Sequence, residues 1–348
     1  MTASVAALRL ELRPSRRPEA IDLRSPLADA LRDGPLQASE RLLCISHHTT
    51  AGFLDRKLQD RLSHDPGRLE AFLTALGSVF PPEAGYEHDR LHLRDELTEV
   101  QKQSEPLNAD AHLAFIGGGF TNCTIVRTDD PRPFWFVDLD GVYRDRQDMP
   151  IRRTRHATVV GFDREEFVTR LRIDVPVPAG PGVVRLDDPE HPVLLQVQER
   201  IAQEGISAGR IGVRLADPAP GVGITVNEFE ALLMERDLTR VLTDPLGFAR
   251  SGAQALAGAL SALGVPGDRL RRLLDRALAH PATRVLRMQN HVSLGVLPPK
   301  SGAAGDPWVD MDAPGTLVRG TYQSPLLVQR RGNPEGRRSL DVTLHRFH

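Results

Sequence analysis

Three histidines in the first half of the chain, His48, His88 and His112, have the residue type and the setting for chemistry near neutral pH. His48 follows directly on the apolar run 42–46, where a core strand leaves its sheet. His88 sits in a polar stretch rich in His, Asp, Glu and Arg, and His112 on a short helical segment. Neutral imidazoles gathered from three elements bind a divalent cation and leave a position open for water or substrate, or one of them acts as a general base. The plainer alternative is that, among 12 histidines, these are separate surface or hydrogen-bonded rings, with His92, one helical turn on, competing for the role of His88. Thr49 and Thr50 offer hydroxyls to a ligand oxygen, or a cap to the helix that follows. Residues 117–119, all glycine, either present backbone N–H groups to an anion or end a helix. The pairs Arg152-Arg153 and Arg337-Arg338 clamp a phosphate bidentately, or are solvated strand ends.

The elements that must position these groups are legible in outline. Residues 5–12 alternate, Leu8, Leu10 and Leu12 against Arg9 and Glu11, which is the period of a half-buried strand, and Pro14 and Pro18 break it. Ile21-Asp22-Leu23 leads into Ser25-Pro26-Leu27, a cap and first turn for a helix through Leu31. Residues 54–62 and 68–79 read as helices, the second stopped by Pro81-Pro82. Residues 86–105 show no clean period and read as an ordered loop or a frayed helix. Asn108 or Asp110 caps a short helix through Ile116, and residues 121–127, 134–142 and 154–161 read as strands.

The chain also repeats itself. Arg152-Arg153 before the strand Ala157-Thr158-Val159 resembles Arg337-Arg338 before Val342-Thr343-Leu344. In the same order, Ile21-Asp22-Leu23 pairs with residues 183–186 and Ala111-His112-Leu113 with Asn290-His291-Val292. The His48 level has a counterpart near residues 219–228 at a smaller offset, which an additional helical insertion near 246–278 in the second copy explains. Two tandem units follow, 1–164 and 165–348, a division that suits a chain of 348 residues at about 100–200 per domain.

Composition narrows the function. With 44 basic and 46 acidic residues the formal charge is -2, so no global field draws nucleic acid or an anionic membrane. Only two cysteines, Cys44 and Cys123, argue against a disulfide framework and fit a reducing compartment. Residues 1–14 lack the apolar core of a signal or a membrane span, so a cytoplasmic protein is expected. No G-x-G-x-x-G after a strand, G-x-x-x-x-G-K-[ST], C-x-x-C or G-x-S-x-G is present.

At His48-Thr49-Thr50-Ala51-Gly52, then Tyr86-Glu87-His88-Asp89, then Asn108-Ala109-Asp110-Ala111-His112-Leu113, the chain resembles the YjbQ family, whose members are described as secondary thiamine-phosphate synthases. The second unit resembles the same family from different pieces: Asn227-Glu228 as its N-E, Asp237 as a later aspartate, Gly320-Thr321-Tyr322-Gln323 as its G-T-W-Q, and Arg337-Arg338 as its closing arginines. Each unit departs where the other matches. Ala219 stands where the second copy's histidine belongs, and Arg56-Lys57 stands where the first copy's N-E belongs.

The resemblance implies an α+β fold of two tandem YjbQ-like domains, each a mixed or antiparallel sheet with a few helices, and a homo-oligomer with sites where units meet. It implies a composite site with His48, His88 and His112 as catalytic and metal-binding residues. Thr49, Thr50, Arg152, Arg153, Asn227, Glu228, Tyr322 and Gln323 would bind a small phosphorylated substrate. The implied reaction joins a pyrimidine diphosphate to a thiazole phosphate with a divalent metal, Zn or Mg. A metal-dependent hydrolase of a phosphorylated metabolite and a non-catalytic binding or assembly protein are the alternatives.

Overall fold

The computed structural model describes residues 5–62, 64–145, 148–190, 192–244, 288–298 and 314–348. The helical insertion expected near 246–278 lies outside them.

The first half builds two antiparallel sheets. The larger is ordered β1 (Ala6–Leu12), β10 (Arg155–Phe162), β3 (Arg41–Ser46), β6 (Cys123–Arg127). The smaller is ordered β2 (Glu19–Asp22), β7 (Trp135–Asp138), β4 (Ala51–Leu54), β5 (Phe120–Thr121), and β8 (Val142–Arg144) and β9 (Pro150–Arg152) form a hairpin beside them. The second half repeats this plan. One sheet is β11 (Glu165–Pro176), β18 (Arg337–Phe347), β13 (Gly209–Leu215), β15 (His291–Leu297), β16 (Thr316–Val318), and the other is β12 (Gly182–Arg185), β17 (Ser324–Gln329), β14 (Val222–Asn227). First strand beside last, last beside third, is the order in both halves. Detail repeats too: Leu23 N–H donates to the Phe134 carbonyl in one half, and Leu186 N–H to the Pro325 carbonyl in the other, both at the end of the second strand.

The register places Ala157 opposite Ser46 and Val342 opposite Val213, so the two closing strands are equivalent. The pairing of Ala111-His112-Leu113 with Asn290-His291-Val292 is corrected. The former lies on α5 (Ala109–Gly118), whereas Val292 lies on β15, whose place beside β13 matches that of β6 beside β3.

Alternation explains the layering. In β1, Leu10 and Leu12 turn inward onto Phe53 and Phe136 of the smaller sheet, with Leu23, just before α1 (Arg24–Arg32), and Leu27 within it closing the core. No side chain caps α1, so Ser25 is not its cap. The opposite face of the first large sheet, with Leu43, Ile45, Val160 and Phe162, packs on Ala208, Leu297 and Phe347 of the second half, where the Phe162 and Phe347 rings stack at 3.9 Å. Residues 51–54, two of which were expected to precede a helix and one to begin it, are strand β4. The helix starts only at α2 (Arg56–Arg61), where the Asp55 carboxylate accepts from the Leu58 N–H. Beyond α3 (Pro66–Val79), the irregular stretch contains a 3-10 turn (Leu91–Leu93) and α4 (Glu99–Ser104).

All of α5 is buried, which is why its sequence shows no polar face. It lies between the halves, against α3 and Phe80 on one side and Leu233, Met234, Leu238, Leu326 and Val328 of the second half on the other. Gly119, at φ 71°, ends it, so the run of glycines is a helix C-cap and not an anion loop. The second half contributes α6 (Val193–Gln203), a π-helical turn (Leu232–Leu238) and α7 (Thr239–Thr243). No described helix is long and apolar enough to cross a membrane.

Candidate functional site

The loop carrying His88 is held by the other half of the chain. The Asp237 carboxylate accepts from the backbone N–H groups of Glu87 at 3.0 Å and His88 at 2.9 Å. The His88 ring, 1 % exposed, has its Nδ1 2.8 Å from Glu230 Oε2. Its Nε2 is 3.3 Å from Asn108 Oδ1, and the Asn108 amide nitrogen donates to Asp140 at 2.7 Å, so the oxygen must face His88. Both ring nitrogens therefore face acceptors, the setting of an imidazolium. Burial, the largest influence, opposes that charge, as does Arg94, but the Glu230 hydrogen bond together with the charges of Glu228 and Glu230 outweighs them and raises the His88 pKa above 6.5. Burial likewise pushes the Glu230 carboxyl up, yet His88 and the N–H groups of Leu232 and Leu233 hold it down at about 2.

His112 is the opposite case. Its ring meets that of His88 edge-on, with centroids 5.3 Å apart. The Asn227 amide orients it: its nitrogen donates to the Thr49 carbonyl at 2.9 Å, so its oxygen accepts from Glu228 N–H at 2.9 Å and faces His112 Nδ1 at 2.7 Å. Nδ1 is thus the proton-bearing nitrogen, and Nε2 keeps its lone pair, 3.6 Å from Glu228 Oε2. Burial pushes the His112 pKa down to about 4, so the ring is neutral at pH 7 and its Nε2 is a base. Beside this pair lies the Arg94 guanidinium, 2 % exposed, among Glu96 at 2.6 Å, Glu228 at 3.5 Å and Glu105 at 3.8 Å.

Asp140 is the hub that ties these rings to His48. It is fully buried and accepts from the Thr50 hydroxyl, Asn108, Arg153 at 3.1 Å and Arg155. Burial pushes its carboxyl up, but the two arginines and the hydrogen bonds outweigh this and keep it far below the usual range. Arg155, 1 % exposed, also donates to Asp138 at 2.7 Å. Asp138 and Asp140 share one face at the end of β7, and Arg153 and Arg155 share one face entering β10, the i, i+2 geometry of a strand. His48 Nε2 accepts from the His156 N–H at 2.7 Å, which leaves Nδ1 as its proton-bearing nitrogen. Burial and the neighbouring arginines lower the His48 pKa to about 3.

His48 and Arg153 open onto a cavity of about 580 Å³ between the halves, lined also by Arg9, His47, His156 and, from the second half, Arg319, Gly320 and Tyr322. Among the described residues its lining contains no carboxylate, and its chemistry suits an anion. The second-half wall is set by Gln323, whose amide nitrogen donates to the carbonyls of Ser46 at 3.0 Å and His48 at 2.8 Å. Gly320 passes so close that a Cβ there would stand 2.0 Å from the His47 carbonyl oxygen. Gly320→Ala is accordingly expected to cost about 1–3 kcal/mol by overpacking and to weaken anion binding, measured by thermal unfolding and calorimetry.

Of the residues singled out from sequence, His48, His88, His112, Thr50, Arg153, Asn227, Glu228 and Gln323 join one hydrogen-bonded assembly. Thr49 enters through its carbonyl alone, and neither threonine caps α2. Tyr322 lines the cavity but is 67 % exposed. Arg152 is exposed on the β8–β9 hairpin, and the working pair is Arg153 with Arg155. His92 is exposed. Arg94, Asp138, Asp140, Arg155 and Glu230 were not foreseen. The Asp-x-Asp and Arg-x-Arg spacing, read with a period of two, was the available signal for three of them.

The three imidazoles do not offer one metal centre. His48 Nε2 is engaged by the backbone, both nitrogens of His88 face acceptors, and the Arg94 and Arg155 guanidiniums lie 3.5 Å from His88 Nε2 and His48 Nδ1, where a cation would be repelled. Among the described residues no group of three His, Cys, Asp or Glu side chains is disposed to hold an ion. The donor set does not fit the three-histidine metal site.

These protonation states predict a pH dependence of stability. His48 and His112 titrate near 3 and 4 when folded and near 6.5 when unfolded, so the unfolded chain binds up to two more protons in between. Their effect makes stability rise with pH from about 4 to 6.5. Glu230 adds a term of the same sign, present above pH 4.5 and lost toward 2. His88 has the opposite sign: its contribution is complete below 6.5 and fades as pH rises through its raised value. Burial raises the Asp110 and Asp138 carboxyls to about 6, so they oppose the two imidazoles between about pH 4 and 6. The His112 contribution is therefore read by difference: in His112→Gln the rise of stability between pH 4 and 6.5, followed by thermal unfolding, is expected to lose up to one proton's worth of slope, and an unchanged slope would contradict the assignment.

No family model matches the chain, and no curated protein matches it. Among solved structures it is similar to a YbjQ-like protein of unknown function from Sulfolobus solfataricus, at 20 % identity over 53 % of this chain and 99 % of that one, with a TM-score of 0.29. It is similar to a hypothetical protein from Aeropyrum pernix at 18 % identity over 51 % of this chain and 98 % of that one, TM-score 0.29. An uncharacterized conserved protein of the yjbq/upf0047 family from Clostridium acetobutylicum is 14 % identical over 50 % of this chain and 98 % of its own, TM-score 0.25. This protein is thus similar, over about half of its chain, to YjbQ-like structures.

Proposed function

We propose that the site between the halves is an acid–base centre acting on a small phosphorylated molecule. The observation that carries this reading is the joining of two settings: a cavity lined by Arg9, Arg153, Arg319 and His48, with no carboxylate among the described residues of its lining, and a buried pair of rings whose protonation is set by residues of the other half. The arginines and the His48 Nδ1–H would hold a phosphate or a departing pyrophosphate, His112 Nε2 would take a proton, and His88 would stabilise negative charge. A thiamine-phosphate-synthase-type transfer is the finer form of this proposal. There, the thiazole nitrogen bonds to the pyrimidine methylene carbon as the carbon–oxygen bond to diphosphate breaks, with no net proton released, so in this form His112 Nε2 would accept a hydrogen bond from the pyrimidine's amino group rather than take up a proton.

Incubating the protein with the pyrimidine diphosphate and thiazole phosphate tests it, with products separated by chromatography. Equal amounts of thiamine phosphate and pyrophosphate are expected, lost in Arg153→Ala. Release of inorganic phosphate from the diphosphate alone would favour a hydrolase, in which His112 and Glu228 activate water. Absence of turnover together with absence of pyrophosphate binding would overturn the proposal.

A further inference from the structure

The buried rings of His88 and His112 differ in character from the cavity, whose lining does not include them. Next to the rings stand two acceptor atoms with no donor between them among the described residues: Nε2 of the neutral His112 ring, whose one proton the Asn227 amide holds on Nδ1, and Glu228 Oε2, 3.6 Å away. A lone pair and a carboxylate oxygen facing each other across that gap repel, and a group bearing N–H bonds placed against both relieves the repulsion. His112 is 1 % exposed, so a solvated cation gains no access to its nitrogen unless it enters through the site.

The surrounding charges point the same way. Glu105 lies near Glu228, and Arg94 is shared among Glu96, Glu105 and Glu228. His88, the other nearby cation, is matched by Glu230. Carboxylates therefore outnumber cations around these rings, whereas among the described residues the cavity lining holds Arg9, Arg153 and Arg319 and no carboxylate, Arg153 pairing with Asp140 at 3.1 Å and Arg319 with Asp187 at 2.6 Å. Arg153 touches both regions, since it lines the cavity and donates to Asp140, which Asn108 links to His88.

We propose that the ligand is dipolar: a phosphate ester that also carries a protonated amine, its phosphate in the arginine-lined cavity and its ammonium against Glu228 and His112. This rests on the anion-binding reading above and names the substrate class of that same site.

Calorimetry on the full chain tests it with matched probes: 2-aminoethyl phosphate against ethyl phosphate, and 4-aminobutyl phosphate against butyl phosphate. For at least one chain length the amine is expected to strengthen binding about tenfold. Glu228→Gln is expected to abolish that preference, the ratio of amine to alkyl probe affinity falling to about one. Glu228 is 20 % exposed in its side chain, and circular dichroism of the variant confirms the fold. Equal binding of amine and alkyl probes by the unaltered protein would overturn the dipolar ligand and leave the anion site standing. Persistence of the amine preference in Glu228→Gln would overturn the placement of the ammonium. Failure of every phosphate to bind would overturn both this inference and the reading beneath it.

Discussion

Replacing Arg155 with methionine is expected to lower the unfolding free energy by about 3–5 kcal/mol, the largest effect on stability that any single substitution in the site should produce. The guanidinium is 1 % exposed and bridges Asp138 and Asp140, which are both fully buried. Without it two carboxylates remain in the interior. Asp138 keeps one other bond, from the Gly141 N–H at 2.7 Å, while Asp140 keeps Thr50, Asn108 and Arg153. The cost comes from stranding the acids, not from losing attraction. Adding Asp138→Asn to Arg155→Met is therefore expected to recover a substantial part of the loss in denaturant unfolding. A double variant no more stable than Arg155→Met would show that Asp138 is not a stranded charge.

His112→Ala is expected to reduce kcat by about 10²- to 10⁴-fold, the range for removing a general base, while KM for a phosphorylated substrate changes little. The ring is far more deeply buried than the cavity arginines and contacts Asn227 and Glu228, not the phosphate pocket. Asn227→Leu is expected to act through His112. It removes the acceptor that keeps the proton on Nδ1, and a loss of about tenfold in kcat follows from one hydrogen bond to the ring. The two variants separate base from orienter: the residual activity of His112→Ala loses its acid-side pH dependence, whereas Asn227→Leu keeps it with a shifted midpoint.

The parts of this site legible in the sequence were those carried by local pattern. The strand before His48, the short helix under His112 and the glycine end of that helix follow from apolar runs, capping types and Gly conformations that act over a few residues. The equivalence of Ile21-Asp22-Leu23 with residues 183–186, and of the two closing strands, was legible because the same pairings demand the same residues. What local pattern lacks is partner identity across long separations. Glu230 meets His88 over 142 positions and Gln323 meets Ser46 over 277. A buried arginine such as Arg94 or Arg155 looks in sequence like any of the basic residues of an arginine-rich chain, until the carboxylates that justify its burial are known. Strand β4 was read partly as helix for a related reason. Four residues, all buried, show no alternation, and the helix-forming residues after them extended the wrong period backward.

The central claim is that one half of the chain sets the protonation of catalytic rings in the other. Nitrogen-detected NMR of the imidazoles in the full chain at pH 6 tests it directly. The expected result is His112 neutral with its proton on Nδ1, His88 protonated on both nitrogens, and loss of the second His88 proton in Glu230→Gln. If both rings instead titrate near 6.5, and neither Glu230→Gln nor Asn227→Leu alters them, the halves do not share a site of this kind.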